Sequence, residues 1–274
     1  PNKPDDKYVT VTFKADNSGN GTVTEKTYFV NPNKYVTLTP PDDAKGKTGY
    51  EFGAWSQDAK IPTVYDKDTT ITASFNETKA VIPNKNPDGS VNKQPAGYVT
   101  VTFKADIQGQ IPADEITVYY VDPNRDVIIN PPTAKGNTGY EFEKWDKKTT
   151  RKQRYDKDTT VTASFTKLDD IVDGSKPKPA GYVTVKFYKG DHGELTGQTV
   201  FYVNPEANPL KTIGDIKPTV TPETGWEFVG WPVPDKTKID RNFDITAKYV
   251  GIPDVVPKDN PKGGENKIPD NYIT

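Results

Sequence analysis

The side chains that most often carry chemistry are sparse in this chain and lie where turns are expected. The single histidine, His192, occurs in a Gly-Asp-His-Gly stretch, and the chain contains no cysteine. A histidine that binds a metal needs further ligands close by, and the lack of cysteine excludes a cysteine-based zinc site. We therefore interpret His192 as a solvated turn residue, and we expect no metal and no cofactor.

Acidic residues occur in pairs, and two carboxylates held in different environments can act as general acid and general base. Asp66-Lys67-Asp68 and Asp156-Lys157-Asp158 also resemble the start of a calcium-binding loop. Both lack the glycine and the distal glutamate of the twelve-residue loop, and a lysine separates the acids. The sequence contains no glycine-rich phosphate loop and no nucleophile elbow. We interpret these carboxylates as solvated turn residues and predict that the chain is not an enzyme.

Three tryptophans at equivalent positions, Trp55, Trp145 and Trp231, are the shared candidates for binding. One hypothesis is that they form stacking platforms for sugar rings. The other is that each tryptophan fills the core of a very small domain, where it packs against the phenylalanine three residues before it. We favour the second, because a large aromatic side chain dominates the energetics of a small core. The predicted core consists of Phe13, Tyr50, Phe52, Trp55, Phe75, Phe103, Tyr140, Phe142, Trp145, Phe165, Phe187, Trp226, Phe228, Trp231 and Tyr249.

The elements that position these aromatic residues belong to one unit repeated in tandem. The segment Tyr8-Val9-Thr10-Val11-Thr12-Phe13 recurs from Tyr98 and again from Tyr182, and Tyr272-Ile273-Thr274 begins a further copy. A fixed period of this kind is the signature of a repeat array, so we expect a piece of a longer array. We predict repeat 1 at residues 8–75, repeat 2 at 98–165, repeat 3 at 182–249 and the start of a fourth at 272–274.

Proline-rich linkers are predicted at residues 1–7, 76–97, 166–181 and 250–271. Proline lacks an amide donor and has a fixed φ, so we expect these segments to be extended spacers that do not continue a sheet. Three of them contain an apolar pair, namely Val81-Ile82, Ile171-Val172 and Val255-Val256. We expect each pair to hold its linker against a neighbouring repeat.

Within a repeat, apolar and polar residues alternate with the period of a β-strand. We predict a mainly β class made of three small domains that form an elongated chain. A third strand is predicted at Val36–Thr39 and at Val127–Asn130. Helical turns are expected at most in Asp42–Lys47 and Pro209–Ile216.

Composition excludes several classes of partner. The 36 basic and 38 acidic residues give a net charge of −2, so the chain has no field that would attract nucleic acid. It has no apolar stretch of about 20 residues, the length needed to span a bilayer, and we expect no membrane insertion. We also expect a monomer.

The central motif of each repeat resembles that of a known family. Gly49-Tyr50-Glu51-Phe52 with Trp55, followed by a closing Asp-Thr-Thr strand, is similar to the Listeria–Bacteroides repeat, also called the internalin B-repeat. Repeat 3 matches well at Gly225–Trp231, whereas repeats 1 and 2 have Ala54 and Lys144 in place of the second glycine. The resemblance implies compact β-grasp-like units in wall-anchored surface proteins of Gram-positive bacteria, with no catalytic residues.

The segment Lys178–Val185 also resembles repeat regions of streptococcal adhesins of the muramidase-released-protein type. These resemblances imply a secreted, cell-wall-anchored protein in which the repeats form a stalk for a distal adhesive region. The alternative is that the repeats themselves bind a host plasma or matrix protein, such as fibrinogen, by avidity. Solvent-facing positions agree poorly between repeats, as in residues 56–60, 146–150 and 232–236, and this disagreement weakens a shared binding surface.

Overall fold

The computed structural model describes residues 7–253 together with Val255, Lys258 and Gly264. The described residues are mainly β, without an α-helix, and a single short 3₁₀ turn lies among them. Three β units, each with its own aromatic cluster, match the three repeats. The mainly β class and the three units are therefore confirmed. The predicted start of a fourth repeat at residues 272–274 lies outside the described residues.

Repeat 1 is built on a four-stranded mixed sheet. Its strands are β1 (Val9–Ala15), β2 (Gly21–Thr22), β3 (Lys26–Val30), β4 (Lys45–Gly46), β5 (Tyr50–Trp55) and β6 (Thr69–Glu77). The main sheet has the order β3-β1-β6-β5, while β2 and β4 form a separate short pair. Strands β1 and β6 are parallel neighbours, and both outer pairs are antiparallel. This arrangement, with the first and last strands parallel in the centre, agrees with a β-grasp-like sheet.

The strand alternation places one face of the sheet in the core. On β1 Val11 and Phe13 have no exposed surface, and on β6 Ile71 and Ala73 have none either. The intervening threonines lie on the opposite face, as the period of two requires. The core of repeat 1 is completed from the loops by Leu38, Ala59 and Tyr65, among other residues.

Repeat 2 has the same plan with one additional strand. Its strands are β7 (Val81–Pro83), β8 (Val99–Ala105), β9 (Gly109–Gln110), β10 (Val118–Val121), β11 (Lys135–Gly136), β12 (Tyr140–Trp145) and β13 (Thr159–Lys167). The main sheet has the order β12-β13-β8-β10-β7.

Repeat 3 also begins with an additional strand. Its elements are β14 (Ile171–Asp173), β15 (Val183–Tyr188), β16 (Gly193–Thr196), β17 (Val200–Val203), the 3₁₀ turn η1 (Ile213–Asp215), β18 (Thr219–Pro222), β19 (Trp226–Gly230), β20 (Phe243–Thr246) and β21 (Lys248–Gly251). The main sheet has the order β14-β17-β15-β20, and β15 and β20 are parallel.

The chain divides into two compact units, and the division runs through repeat 2. One unit comprises residues 1–104, 111–133 and 145–162, and the other comprises residues 105–110, 134–144 and 163–274. Residues 76–97 therefore lie wholly inside the first unit, and residues 166–181 lie wholly inside the second. Neither segment falls at a boundary between compact units.

The predicted third strand is wrong, and only one of the two candidate segments contains a helical turn. Residues 36–39 and 127–130 form no strand, only the isolated bridges Val36–Thr63 and Val127–Gln153. Prolines follow both segments and supply no amide with which to continue a ladder. No helical turn occurs in Asp42–Lys47, because Lys45–Gly46 pairs with β2 instead. The second candidate, Pro209–Ile216, does contain the 3₁₀ turn.

Candidate functional site

Each of the three equivalent tryptophans lies edge-on against a buried phenylalanine of the first strand. The ring centroids are 5.2 Å apart for Trp55 and Phe13, with an interplanar angle of 88°. The corresponding centroid distances are 5.2 Å to Phe103 in repeat 2 and 4.9 Å to Phe187 in repeat 3. Edge-to-face packing is the favoured geometry for aromatic pairs. The indole rings are half-buried and pack against the core cluster of their own repeat.

The fifteen predicted core residues, including the three tryptophans, fall into three groups. Phe13, Phe75, Phe103 and Phe187 are buried. Tyr50, Trp55, Tyr140, Trp145, Phe165, Trp226, Phe228, Trp231 and Tyr249 are half-buried. Phe52 and Phe142 are each 38% exposed, so placing them in the core was wrong. They lie on β5 and β12 and pack against the phenylalanine of the last strand, with ring centroids 6.4 Å apart for Phe52 and Phe75 and 6.0 Å apart for Phe142 and Phe165.

Sequence reasoning missed three core positions on the loops. Tyr65, Tyr155 and Ile239 are equivalent and are 3%, 7% and 0% exposed. The signal was available, because a tyrosine precedes Asp-Lys-Asp in both of the first two repeats. The Tyr155 hydroxyl accepts a 2.6 Å hydrogen bond from Gln153 Nε2. Among the described residues the buried Tyr65 hydroxyl has no hydrogen-bond partner, because the residue equivalent to Gln153 is the shorter Thr63.

Two of the carboxylates have structural partners in the sheet. Asp68 Oδ1 accepts the Thr10 amide, and Asp158 Oδ1 accepts the Thr100 amide, each at 2.7 Å. In repeat 3 the Thr184 amide donates the same bond to Asn242 Oδ1 at 2.8 Å. Asp68 and Asp158 are exposed, as expected for solvated loop residues, and each also ties the loop before the last strand to the first strand.

His192 lies in a turn and is stacked on the Trp226 indole, with ring centroids 3.4 Å apart and planes 4° from parallel. Its Nδ1 is 3.6 Å from Glu223 Oε2. Among the described residues no group of three or more histidine or carboxylate side chains could hold a metal ion. Within the same residues no helix is long and apolar enough to cross a membrane.

The two described linkers form a site that repeats 2 and 3 share. Strand β7 comes from residues 76–97 and pairs antiparallel with β10, with Ile82 opposite Tyr120 and Val81 opposite Val121. The Asn84 amide donates to the Val118 carbonyl at 2.9 Å. The prediction that the linkers do not extend a sheet was wrong. The Asn84 amide makes this bond. Amides alternate in direction along a strand, so the backbone nitrogen of Pro83, one residue earlier, faces away from β10, and no donor is needed there.

Strand β14 repeats this arrangement from residues 166–181. It pairs antiparallel with β17, with Val172 opposite Tyr202 and Ile171 opposite Val203. The expectation that Val81-Ile82 and Ile171-Val172 hold their linkers against a neighbouring repeat is confirmed. For the third pair, Val255 is 80% exposed, and Val256 lies outside the described residues.

The contact between repeats 1 and 2, here called the joint, contains a buried carboxylate at the end of β10. Asp122 is 2% exposed, and its Oδ2 lies 2.5 Å from the point where a side chain on Gly49 would begin. Gly49 has a φ of 86°, a conformation that glycine adopts without strain. The Thr78 amide donates to the Gly49 carbonyl at 2.9 Å. Any larger side chain at Gly49 would collide with Asp122, so the glycine shapes a socket for the carboxylate.

Arg125 connects the two sides of this joint. Its Nε donates to Asp122 Oδ2 at 2.7 Å, its Nη1 donates to Glu77 Oε1 at 2.5 Å, and its Nη2 donates to the Thr78 carbonyl at 2.7 Å. The Arg125 side chain is 28% exposed. Charge-assisted bonds to a buried carboxylate are about twice as strong as neutral ones. The guanidinium therefore fastens repeat 2 to the end of β6.

The joint at the next linker has the same geometry and different chemistry. Asn204, which is 5% exposed, replaces Asp122 and lies over Gly139, with Nδ2 2.6 Å from the point where a side chain would begin. Its Nδ2 donates to Asp170 Oδ1 at 3.4 Å, and Lys211 Nζ lies 3.7 Å from Asp170 Oδ2. Ala207 stands where repeat 2 has Arg125. In the second joint the carboxylate therefore lies in the linker, whereas in the first joint it lies at the end of the strand.

A buried tyrosine closes each joint. The Tyr98 hydroxyl donates to the Lys79 carbonyl, and the Tyr182 hydroxyl donates to the Asp169 carbonyl, both at 2.9 Å. These two residues are 5% and 3% exposed. Burial, with the nearby Asp170 and Asp169 charges, raises the pKa of Tyr182. The equivalent Tyr8, which has no described linker before it, is only half-buried.

Two family models match the chain. Residues 10–78 match the Listeria-Bacteroides repeat domain, and residues 99–169 match the divergent InlB B-repeat domain. The chain carries repeats of the Listeria–Bacteroides type. The two matches cover repeats 1 and 2, and repeat 3 shares their buried-phenylalanine–tryptophan pair and their joint. No curated protein matches the chain. The resemblance identified from the sequence is confirmed, and repeats of this family are typical of surface proteins.

Proposed function

We propose that these repeats form an extended stalk of a secreted, cell-wall-anchored surface protein and hold an adhesive region away from the cell. The observation that carries the proposal is the incorporation of each described linker into the sheet of the repeat that follows it. A linker with a paired backbone cannot swivel without breaking its hydrogen bonds. A stalk needs joints of this kind, because free joints would let the repeats fold back on one another.

Contacts on both sides of the joint support a fixed angle between repeats 1 and 2. The Arg125 guanidinium bonds Asp122 on one side and Glu77 with Thr78 on the other. The Tyr98 hydroxyl is also 2.6 Å from Thr78 Oγ1. These contacts all hold repeat 2 to the end of β6, so a change in the angle between the two repeats would stretch or break them.

Small-angle X-ray scattering of the whole chain tests the stalk. A compact globule of this length would have a radius of gyration of about 19 Å. We expect a value well above that and a distance distribution with a long tail. The Asp122→Ala/Arg125→Ala variant should broaden the distribution, since it removes the ionic contacts of one joint. A radius near that of a globule would refute the proposal.

A second candidate function, multivalent adhesion to a host plasma or matrix protein, is favoured by one observation. Phe52 and Phe142 occupy equivalent positions and are equally exposed, at 38%. Exposed aromatic rings are common binding anchors, and weak binding at two or more repeats would be multiplied by avidity. Surface plasmon resonance with immobilised fibrinogen tests this candidate directly. Adhesion predicts binding that falls at least tenfold in the Phe52→Ala/Phe142→Ala variant, whereas a folded wild-type chain that does not bind would exclude fibrinogen as the ligand.

A further inference from the structure

We propose that the cleft between β5 and the linker at residues 76–97 binds an acidic oligosaccharide, that is, a short glycan that carries carboxylate or sulfate groups. The cleft has a volume of about 940 Å³, which lies within the range of sites that bind small molecules. All the residues that line it belong to repeat 1 and this linker, so the site lies within the first of the two compact units. The proposal does not rest on the stalk, because it concerns a ligand of one joint.

The cleft forms because this linker returns to repeat 1 after it has added β7 to the sheet of repeat 2. The return is fixed by Asn92, whose side-chain Nδ2 donates to the Pro83 carbonyl at 2.8 Å. Residues 92–96 consequently line one part of the cleft, and residues 44–46 and 50–52 of repeat 1 line another. A ligand in the cleft therefore contacts both the linker and the repeat that precedes it.

The second joint has a different pocket. Its linker, residues 166–181, has 181 − 166 + 1 = 16 residues, against 97 − 76 + 1 = 22 in the first joint. The pocket there has a volume of about 400 Å³, and among the described residues that line it there is neither an aromatic side chain nor a lysine. The longer linker thus provides a cleft with a chemistry that the shorter one does not.

Two aromatic side chains of β5, Tyr50 and Phe52, give the cleft an apolar surface. Phe52 is 38% exposed although its ring centroid lies 5.9 Å from that of Trp55 and 6.4 Å from that of Phe75. The C–H face of a sugar ring is apolar and packs on the face of an aromatic ring, where the charge is slightly negative. The exposed part of the Phe52 ring is a surface of this kind.

Three exposed lysines also line the cleft and attract an acidic group. They are Lys45, Lys79 and Lys93. Among the described residues none of the three forms an ion pair. The lining contains two glutamates, and one of them, Glu77, already accepts Arg125 Nη1. Three ammonium groups against the one remaining carboxylate, that of Glu51, favour an anionic ligand.

The other polar groups of the lining favour a glycan over an acidic peptide. The Glu51 carboxylate accepts hydrogen bonds from hydroxyl groups and repels a second carboxylate. Gln94 is held in place because its Nε2 donates to the Tyr98 carbonyl at 2.6 Å, and its oxygen is an acceptor as well. An acidic sugar offers hydroxyl groups, an apolar face and an anion, and so matches all three kinds of group in the cleft. A run of acidic side chains offers only the anion.

Isothermal titration calorimetry of the whole chain at physiological salt tests the site with four probes. The acidic sugars are a sulfated heparin hexasaccharide and a hyaluronan hexasaccharide, whose only acid is a carboxylate. The controls are neutral maltohexaose and the peptide hexaglutamate. We expect at least one acidic sugar to bind at least tenfold more tightly than both controls, and the tighter of the two identifies the acidic group. If neither acidic sugar binds at millimolar concentration, or if either control binds as tightly, the proposal is overturned.

Charge reversal locates the binding on the chain. The Lys45→Glu/Lys93→Glu variant should weaken binding of the acidic sugar at least tenfold, because two ammonium groups become carboxylates. The matched control is Lys135→Glu/Lys176→Glu, which makes the same change at exposed lysines of β11, the strand equivalent to β4, and of the other linker. Equal weakening by both variants would indicate attraction to the chain as a whole and would refute the cleft as the site.

The aromatic surface is tested by Phe52→Leu, which keeps an apolar side chain and removes the flat ring. We expect binding of the acidic sugar to fall at least fivefold, whereas Phe142→Leu, at the equally exposed position of repeat 2, should leave it unchanged. Circular dichroism confirms that both variants are folded. Equal effects would contradict the proposal. The fibrinogen candidate depends on both rings and the stalk is tested by scattering, so the failure of any one of the three proposals is distinguishable from failure of the others.

Discussion

The joint between repeats 1 and 2 should loosen when Asp122 becomes asparagine. The substitution keeps the shape and the bond from the Asn124 amide, and removes the charge that accepts Arg125 Nε at 2.7 Å. A hydrogen bond to a charged group contributes about 1.5–3 kcal/mol. Arg125 is 28% exposed and keeps its bonds to Glu77 and Thr78, so we expect a cost of about 1–2 kcal/mol.

Hydrogen exchange read by mass spectrometry localises this loss to the linker. Amides of β7, including that of Asn84, exchange when the strand opens from β10. A cost of about 1–2 kcal/mol corresponds to exchange that is about 5- to 30-fold faster. The matched control is Asp126→Asn in the Asp126–Arg154 pair, whose side chains are more than half exposed. Exposed pairs contribute little, so exchange in β7 should stay within about threefold of the wild type.

The second joint suggests a variant that should restore slow exchange in β7. It has Asn204 at the strand end, Asp170 in the linker, and alanine where repeat 2 has Arg125. In the second joint Lys211 lies beside Asp170, and the equivalent residue of repeat 2 is Asp126. The quadruple variant Ala80→Asp/Asp122→Asn/Arg125→Ala/Asp126→Lys therefore transplants that arrangement, and we expect exchange in β7 to return towards the wild-type rate. Unchanged exchange in the single variant, or the same acceleration in the Asp126 control, would refute the view that the buried carboxylate holds the joint.

Four further predictions follow from the cores and the sockets. Tyr155→Phe should lower the free energy of unfolding in urea by about 0.5–1.5 kcal/mol, because it removes the hydrogen bond from Gln153. Tyr65→Phe should be neutral or stabilising, because that hydroxyl has no partner among the described residues. A larger loss of stability in Tyr65→Phe than in Tyr155→Phe would contradict this. Burial raises the pKa of both tyrosines. Their contribution to stability is therefore fully present below about pH 10, the pKa of an unfolded tyrosine, and is lost as pH rises through the raised values. An alkaline unfolding titration monitored by circular dichroism checks this loss. Gly49→Ala should reduce the thermal midpoint more than Gly225→Ala. Both substitutions strain a positive φ, but only the first places a side chain against Asp122. Equal effects would mean that the space over Gly49 is not needed for the Asp122 carboxylate. Trp145→Ala should cost about 3–5 kcal/mol and unfold repeat 2, and normal melting of this variant would favour a binding role for the ring.

The sequence was sufficient for the features that repeat with a short period. Alternation in Val9-Thr10-Val11 predicts a strand with one buried face, and Val11 is indeed fully buried. The repetition of that strand at Tyr98 and Tyr182 predicts the units. These features depend on local patterns, and local patterns survive in a single sequence.

The linker strands could not be predicted in the same way. Val81–Pro83 is too short to show a period, and its proline argues against a sheet. The strand forms only because β10 presents an edge that lies far along the chain from it, and because Pro83 occupies a position that needs no amide. The exposure of Phe52 was likewise hidden, since two aromatic residues on one strand give no indication of which lies nearer the core.

The parallel arrangement of β1 and β6 bears on how a repeat responds to tension. In repeat 1 the chain enters the sheet at the start of β1 and leaves it at the end of β6, and Val11–Ala15 runs side by side with Thr69–Ala73. A pull on the two ends therefore drives these strands past each other, so the load is shared by all the hydrogen bonds between them at once. An antiparallel pair pulled from one end would instead open one bond at a time. A protein anchored at one end and gripped at the other in flowing fluid would meet that pull along its most resistant direction.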